Sequence, residues 1–263
     1  MQVGISTSSL FLKADNDKAM ELFRDWSVPV AEVFLSTFSE YTKPFAALLK
    51  QINGETQVHS IHCLNTNFEP QLYNRHPKVR QDAYYWLKQV LLAGETLKAK
   101  YYTFHGVARL KKSPAMTDYE KVGQDTALIQ QQCKAHGISL AFENVHWAHY
   151  NEPGFFAKVK QHVPDLKATL DIKQARQSGY DYTEYLAEMG KDLVTVHLSD
   201  VDASGKVCLP GQGVFDFPQL FQRLKDTAFN GALLIEVYPE SYTEFSQLIA
   251  SLDYLQNLAS KVF

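Results

Sequence analysis

The chain has 263 residues, of which 45% are hydrophobic and 21% are charged, and its formal net charge is -3 at pH 7. The apolar fraction is large enough to fill a sizeable core, which excludes an extensively disordered chain. A charge this close to neutral gives no broad basic surface, which argues against a nucleic-acid partner.

The three cysteines, Cys63, Cys133 and Cys208, lie far apart in the sequence and include no C-x-x-C pair. They favour neither a disulfide framework nor a zinc ribbon, and a reducing compartment is the simplest interpretation. The sequence starts without a basic leader and apolar region, and it has no apolar run of about 18 residues. We therefore expect a cytoplasmic protein without a membrane-inserted segment.

Short apolar runs typical of buried strands recur along the chain. They begin near Val3, Val30, Thr56, Lys100, Ser139, Lys167, Leu193 and Ala232. Segments with helical spacing of apolar residues lie between them, at 18–26, 44–52, 77–98, 119–136, 153–162, 182–189, 218–227 and 242–259. Eight strands alternating with eight helices predict an α/β fold with a parallel sheet.

The strand count favours closure of this sheet into a (β/α)₈ barrel, the TIM barrel. An open, doubly wound sheet is disfavoured, because no Gly-rich phosphate turn follows the first strand, where the sequence is Ser6-Thr7-Ser8-Ser9. Barrels of this kind run to about 250 residues as one unit, so we expect residues 1–263 to form a single domain.

Four of the later strands end in a side chain that can ligate a metal. These residues are Glu143, Asp171, His197 and Glu236. Reactive groups of parallel barrels cluster at the C-terminal ends of the strands, and at the strand period of two these four side chains point to one side. Three acids together would repel one another without a cation, and oxygen donors with one histidine suit Mn²⁺, Co²⁺, Mg²⁺ or Zn²⁺. We therefore predict one divalent metal ion at this position.

Further polar and aromatic residues near the strand ends are candidates for substrate binding. His62 and His105 end the third and fourth strands, where they can hydrogen-bond a substrate oxygen or ligate a second ion. Trp147 follows the fifth strand and can stack on a sugar or shield the site. Lys173 and Gln174 follow Asp171 closely enough to reach a substrate, although a solvent-facing Lys173 is the alternative.

Two other features are assigned structural roles. His59 lies earlier in the third strand and is not needed for the chemistry. Asp216 precedes Pro218 and is expected to N-cap the seventh predicted helix, which places the Gly-rich loop 209–213 at the barrel mouth.

These residues make the chain similar to the xylose-isomerase-like barrels, the superfamily of sugar phosphate isomerases and epimerases that also includes endonuclease IV. The resemblance covers essentially the whole chain. The matching residues are His62, His105-Gly106, Glu143-Asn144, Asp171, His197-Leu198-Ser199-Asp200, the loop 210–217 and Glu236. In the ketose epimerases of this family, the positions matching Glu143, Asp171, His197 and Glu236 bind one divalent metal. The resemblance implies that Glu143 and Glu236 also move the protons.

The chain departs from the family pattern at several positions. Gln174 stands where the family commonly has a histidine, and a glutamine cannot act as an ionisable acid or base. The residues around Ala203 do not supply the arginine that epimerases often carry after the strand-seven histidine. His62 and His105 match first-metal ligands of endonuclease IV, but its third site also needs the strand-six histidine and an Asp-x-His before the Gly-rich loop. Residues 204–208 lack that motif, so DNA repair is disfavoured.

We therefore expect a divalent-metal-dependent isomerase or epimerase of a small keto-sugar, sugar phosphate or related polyol. It would abstract a proton and form a metal-stabilised enediolate. A dehydratase of a keto-cyclitol and a non-catalytic sugar-binding barrel are the alternatives. The sequence leaves open the sugar, the metal, the second ion at His62 and His105, and the oligomeric state, with a homo-oligomer among the options.

Overall fold

A computed structural model describes residues 1–109 and 117–263 of the chain. The strands in these residues are β1 (Gln2–Ser6), β2 (Val30–Leu35), β3 (Gln57–Cys63), β4 (Tyr101–Phe104), β5 (Ser139–Glu143), β6 (Lys167–Asp171), β7 (Leu193–Leu198), β8 (Asp200–Val201), β9 (Val207–Cys208) and β10 (Ala232–Ile235). Strands β1 to β7 and β10 pair in parallel, each with its neighbour in sequence, and close into a barrel. The predicted α/β barrel is confirmed, and every predicted strand start lies on or next to an observed one.

The described helices are α1 (Asn16–Asp25), α2 (Lys43–Ile52), α3 (Pro77–Leu97), α4 (Tyr119–Ala135), α5 (Phe155–Lys160), α6 (Ile172–Ser178), α7 (Tyr182–Met189), α8 (Phe217–Asp226) and α9 (Phe245–Val262). Each of the eight predicted helical segments overlaps one of them. The predicted cap of α8 is also confirmed, since Asp216 accepts the N–H of Gln219 at 2.9 Å. Among the described residues, no helix has both the length and the apolar character that crossing a membrane requires.

Helix α6 is not among the predicted helices, because Asp171 is predicted only as a metal ligand at the end of β6. The same side chain accepts the N–H of Gln174 at 2.8 Å and thereby N-caps α6 directly after the strand. Gly179, with φ at 86°, ends the helix in the left-handed conformation that favours glycine. The pattern of a cap followed eight residues later by glycine was therefore a usable helix signal.

Side chains alternate along the barrel strands between the helix layer and the barrel interior. The helix-facing residues belong to one large hydrophobic cluster, which includes Phe142, Leu170, Val196 and Ile235. A second, small cluster inside the barrel consists of Val30, Ala232 and Leu234. The apolar side that the period-two pattern predicts is thus the side that packs against the helices.

The segment between β7 and α8 is organised around one buried carboxylate. The backbone N–H groups of Gly211, Gly213 and Phe215 donate to Asp200 at 3.0, 3.0 and 2.9 Å. A Cβ atom added at Gly213 would lie 2.4 Å from Asp200 Oδ1, so only glycine fits beside this carboxylate. The antiparallel pair β8 and β9, which the sequence analysis does not predict, forms part of the same segment.

Candidate metal centre and cavity

The four side chains predicted as metal ligands meet at the C-terminal edge of the barrel. Glu143 ends β5, Asp171 ends β6, His197 lies in β7, and Glu236 directly follows β10. One donor atom from each lies within 4.8 Å of the other three, and all four side chains are buried. The structure brings the four residues together, and their role as metal ligands stays a prediction. We call this set the ligand cluster.

Strand pairing explains why the cluster forms at one level of the barrel. Asp171 lies opposite His197 in the β6–β7 pair. His197 in turn lies opposite Leu234, two residues before Glu236. Asn144, which directly follows β5, links that strand to β6. Its side-chain N–H donates to the carbonyl of Asp171 at 2.9 Å, and its Oδ1 accepts the Asp171 N–H at 2.8 Å. Strand register, rather than loop conformation, therefore brings the carboxylates together.

The contacts inside the cluster fit a divalent cation. His197 Nδ1 lies 2.8 Å from Glu143 Oε1 and 3.0 Å from Glu236 Oε2. The second oxygen of Glu143, Oε2, is buried without an aligned hydrogen bond, although His105 Nε2 lies 3.0 Å away. A buried carboxylate oxygen without a donor is costly, and a cation would satisfy it. Three carboxylates and one imidazole are donors that suit Mn²⁺, Co²⁺, Mg²⁺ or Zn²⁺.

The ionisation of the cluster depends on burial and on the neighbouring charges. Burial and nearby carboxylates raise the pKa of Asp171 to about 7, although Lys173 opposes the rise. Burial would also raise the pKa of Glu143, but the positive charge of His197 outweighs it and brings the pKa to about 2. The carboxylates likewise outweigh burial at His197 and hold its pKa well above the usual range. The metal-free cluster therefore keeps a proton on His197, which metal ligation would release.

A fourth carboxylate, which is not among the predicted site residues, lies inside the barrel next to the cluster. Glu32 is in the middle of β2 and is fully buried. Its carboxylate accepts the hydroxyl groups of Ser6 at 3.0 Å, Ser60 at 2.8 Å and Thr103 at 2.6 Å. A single acid inside an otherwise apolar strand was a usable signal, because a buried charge needs partners. The predicted ligands all lie at strand ends, whereas Glu32 lies inside its strand.

Glu32 also lies against two histidines of the site. Its Oε1 is 3.0 Å from His62 Nδ1 and 3.1 Å from His197 Nε2, the latter without hydrogen-bond alignment. The other ring nitrogen of His197, Nδ1, faces Glu143 and Glu236. Metal-binding histidines usually place their second nitrogen against a carboxylate or a carbonyl. The arrangement therefore assigns Nδ1 of His197 to the cluster and Nε2 to Glu32.

His62 and His105 lie beside the ligand cluster, with their Nε2 atoms 2.8 Å apart. Together with Glu143 they form a second group of donor atoms that lie within 4.8 Å of one another. His105 Nδ1 is 3.3 Å from Glu69 Oε2, and the carboxylates of Glu143 and Glu69 outweigh burial and raise the pKa of His105 to about 10. Glu69 is not among the predicted site residues, because it begins a short 3₁₀ helix after β3 where the sequence shows no strand or helix pattern.

A cavity of about 400 Å³ is lined by Glu143 and Glu236 of the ligand cluster and by aromatic side chains. The aromatic part of its wall consists of Phe11, Phe34, Trp147 and Tyr238. The ring centre of Trp147 lies 4.9 Å from that of His105. A bound molecule would therefore contact charged groups on one side and apolar rings on the others.

Residues 17–258 match the model of one protein family, described as the xylose isomerase-like TIM barrel. The chain belongs to this family. No curated protein matches the chain by sequence.

Solved structures show the same xylose isomerase-like architecture at low sequence identity. A D-tagatose 3-epimerase-like protein is 14% identical, with a TM-score of 0.83 over 100% of this chain and 98% of that chain. The IolI protein with a bound zinc atom is 17% identical, with a TM-score of 0.80 over 100% and 99% of the two chains. The probable 3-DHS dehydratase AsbF from Bacillus anthracis is 12% identical, with a TM-score of 0.75 over 97% and 99%. At these identities the similarity shows the fold.

In this xylose isomerase-like barrel, the side chain of Lys173 points inward from the first turn of α6. Its Nζ lies 2.6 Å from Asp171 Oδ2 and 3.4 Å from Glu236 Oε2, and the side chain is buried. The solvent-facing alternative is therefore wrong. It fails because Asp171 caps α6 directly, which brings the first helical turn back over the strand ends.

Gln174 lines the same cavity, but half of its amide is already engaged. Its Oε1 accepts the backbone N–H of His146 at 3.2 Å and lies 2.6 Å from His146 Nδ1. This contact leaves the amide N–H groups of Gln174 for a bound molecule. Substrate binding by His62, His105, Trp147, Lys173 and Gln174 stays a prediction, although the structure places all five in the cavity wall.

Proposed function

We propose that the protein is a divalent-metal-dependent isomerase or epimerase of a small keto-sugar, sugar phosphate or related polyol. The observation that carries this proposal is the buried convergence of Glu143, Asp171, His197 and Glu236 at the C-terminal edge of the barrel. Active sites of such barrels lie at that edge. Family membership and the similarity to an epimerase-like structure add support.

Glu143 and Glu236 are the residues that we assign to proton transfer. They flank His197 Nδ1 from separate strands, so they approach a molecule in the cavity from different sides. Burial opposes ionisation of Glu236, but His197 and Lys173 outweigh it and hold its pKa well below the usual range. Both glutamates are therefore ionised near neutral pH and available as bases, at the cost of some basicity.

A divalent ion held by Glu143, Asp171, His197 and Glu236 would supply Lewis-acid chemistry, which would make the C–H bond beside a substrate carbonyl more acidic. One glutamate would remove that proton on one face of the carbon, and the other would return a proton on the opposite face. Ser8 donates to Glu236 Oε1 at 3.0 Å and fixes the orientation of this carboxylate. The aromatic wall with Trp147 would exclude water during the transfer.

A dehydratase of a keto-cyclitol is the second candidate function. Elimination of water from such a ring begins with the same proton abstraction beside a carbonyl. The aromatic wall of the cavity suits the apolar face of a carbon ring, and a probable dehydratase has the same fold. Product analysis separates the two functions, because a dehydratase releases water and an unsaturated product whereas an epimerase returns an isomer.

The test is solvent deuterium uptake into a panel of ketoses, keto-cyclitols and sugar phosphates, with Glu143→Gln and Glu236→Gln as variants. General acid–base groups contribute about 10² to 10⁴ in rate, so each variant should lose at least that much turnover. Glu240→Gln is the matched control, because Glu240 is exposed and lies four residues after Glu236. Near-normal turnover in either site variant would contradict the two-glutamate mechanism. Sugar binding without any exchange would indicate the non-catalytic barrel.

A further inference from the structure

Lys173 is a cation placed within the ligand cluster itself. Its Nζ contacts Asp171 and Glu236, two of the four predicted ligands, at 2.6 and 3.4 Å. The ammonium also lies 5.2 Å from the ring centre of Tyr238. A lysine amine is a cation at neutral pH, and its contact with two carboxylates favours the charged form. The side chain therefore places a positive charge directly beside two of the predicted ligands.

This charge has opposite effects on the metal-free and the metal-bound site. Without a metal ion, the three carboxylates of the cluster lie close together, and the ammonium compensates part of their repulsion. Among the residues that the structure describes, Lys173 is the only lysine or arginine paired with Glu143, Asp171 or Glu236. With a metal ion present, the same ammonium is a like charge a few ångströms away, and such repulsion is strong in a buried site.

We propose that Lys173 is a counter-cation built into the metal site, which stabilises the metal-free cluster and weakens divalent-ion binding so that the ion exchanges with solution. This inference rests on the metal-dependent function proposed above. It predicts the direction of the change in affinity, because removing the charge of Lys173 should strengthen metal binding. A lysine that only oriented Asp171 and Glu236 would strengthen metal binding, and its removal would lower the affinity.

The experiment measures Mn²⁺ binding to the metal-stripped full-length protein by isothermal titration calorimetry. Lys173→Met removes the charge and keeps most of the side-chain length, and it should bind Mn²⁺ at least tenfold more tightly, about 1.4 kcal/mol. Lys173→Arg keeps the charge and should stay within a few-fold of the natural protein. Lys167→Met is the control, because Lys167 begins β6, the strand that Asp171 ends, and pairs with Asp192 at 3.0 Å, away from the cluster.

Thermal unfolding supplies a second readout. Without metal, Lys173→Met should unfold at a lower temperature than the natural protein, because the carboxylates lose their counter-cation. Saturating Mn²⁺ should raise its unfolding temperature by more than it raises that of the natural protein, since tighter binding stabilises more. A purely structural role would lower the temperature in both conditions. Lys173→Gln repeats both measurements if the methionine variant does not fold.

Unchanged or weaker Mn²⁺ binding in the uncharged variants would overturn the inference, and so would the absence of Mn²⁺ binding in every protein. None of these measurements requires a substrate. If no sugar on the panel takes up deuterium while Lys173→Met binds Mn²⁺ more tightly, the proposed function fails and the inference about Lys173 stands.

Discussion

The two ends of the barrel interior hold polar side chains in different ways. At the C-terminal end, the ligand cluster and Glu32 gather four carboxylates around the single imidazole of His197. At the N-terminal end, His59 Nε2 lies 3.1 Å from the carbonyl of Val194 and 3.0 Å from the hydroxyl of Thr195. Burial lowers the pKa of His59 to about 4, so this histidine is neutral at pH 7.

This difference distinguishes a polar side chain with a structural role from the candidate functional side chains at the other end of the barrel. His59 contacts two neutral groups that the fold itself provides, and its structural role stays a prediction. The C-terminal cluster instead concentrates negative charge and leaves Glu143 Oε2 without an aligned donor. A barrel that used these acids only for stability would gain more from apolar residues of similar volume. The charged end is therefore the end to test for ligand binding.

The largest expected effect on metal binding is loss of one ligand. Metal analysis at saturation should find one divalent ion per chain. Asp171→Ala should weaken Mn²⁺ binding by more than about 100-fold, beyond the range typical of residues that only contact a ligand. Calorimetry and metal analysis after dialysis measure both quantities. Unchanged affinity would remove Asp171 from the ligand set, and two ions per chain would assign the second to His62, His105 and Glu143.

A smaller effect on Mn²⁺ affinity is expected from substitution of Glu32, which contacts His197 but is not one of the four predicted ligands. Glu32→Gln keeps the shape but removes the negative charge facing His62 and His197, and it should weaken Mn²⁺ binding by about 10- to 100-fold. Nitrogen-15 NMR of the histidine rings should also show a changed tautomer or protonation state. Ser60→Ala is the control, since it removes one hydrogen bond to Glu32 and leaves the charge in place. Normal affinity and unchanged histidine signals in Glu32→Gln would limit Glu32 to packing.

The smallest effect is expected from substitution of His59 at the N-terminal end of the barrel. It should change the free energy of unfolding and leave Mn²⁺ affinity unchanged. The pKa of His59 is about 4 in the fold, against an ordinary value of 6.5, so the unfolded chain binds more protons between these values. The contribution of neutral His59 is fully present above pH 6.5 and is lost as the pH falls towards 4. His59→Gln should therefore flatten the pH dependence of the unfolding free energy in this window, by on the order of 2 kcal/mol.

Denaturant unfolding at several pH values measures this slope. His76→Gln is the control, because it removes a histidine that is exposed rather than enclosed by the barrel strands. An equal slope in His59→Gln and the natural protein would show that His59 does not titrate differently in the fold. Mn²⁺ affinity should be the same in both proteins, since His59 lies at the opposite end of the barrel from the cluster.

Local patterns in the sequence were sufficient for the barrel and for the convergence of Glu143, Asp171, His197 and Glu236. Strand and helix periodicity are short-range properties, and parallel strands of a barrel all end at one edge, so a residue at the end of a strand has a predictable position. The same reasoning placed His62, His105 and Trp147 in the cavity wall. None of these positions depends on knowing which side chain lies across the barrel.

Only the tertiary structure decided which side chains contact one another across the barrel interior. Glu32 meets His197 because β2 and β7 face each other over the barrel interior, and no spacing along the chain encodes that approach. Lys173 contacts the cluster because Asp171 caps α6 without an intervening loop. The first helical turn therefore directs the Lys173 side chain inward, whereas a residue that follows a strand is expected to face solvent. A charged side chain takes its pKa and its partners from elements far away in sequence, so its role emerges only when those elements are packed.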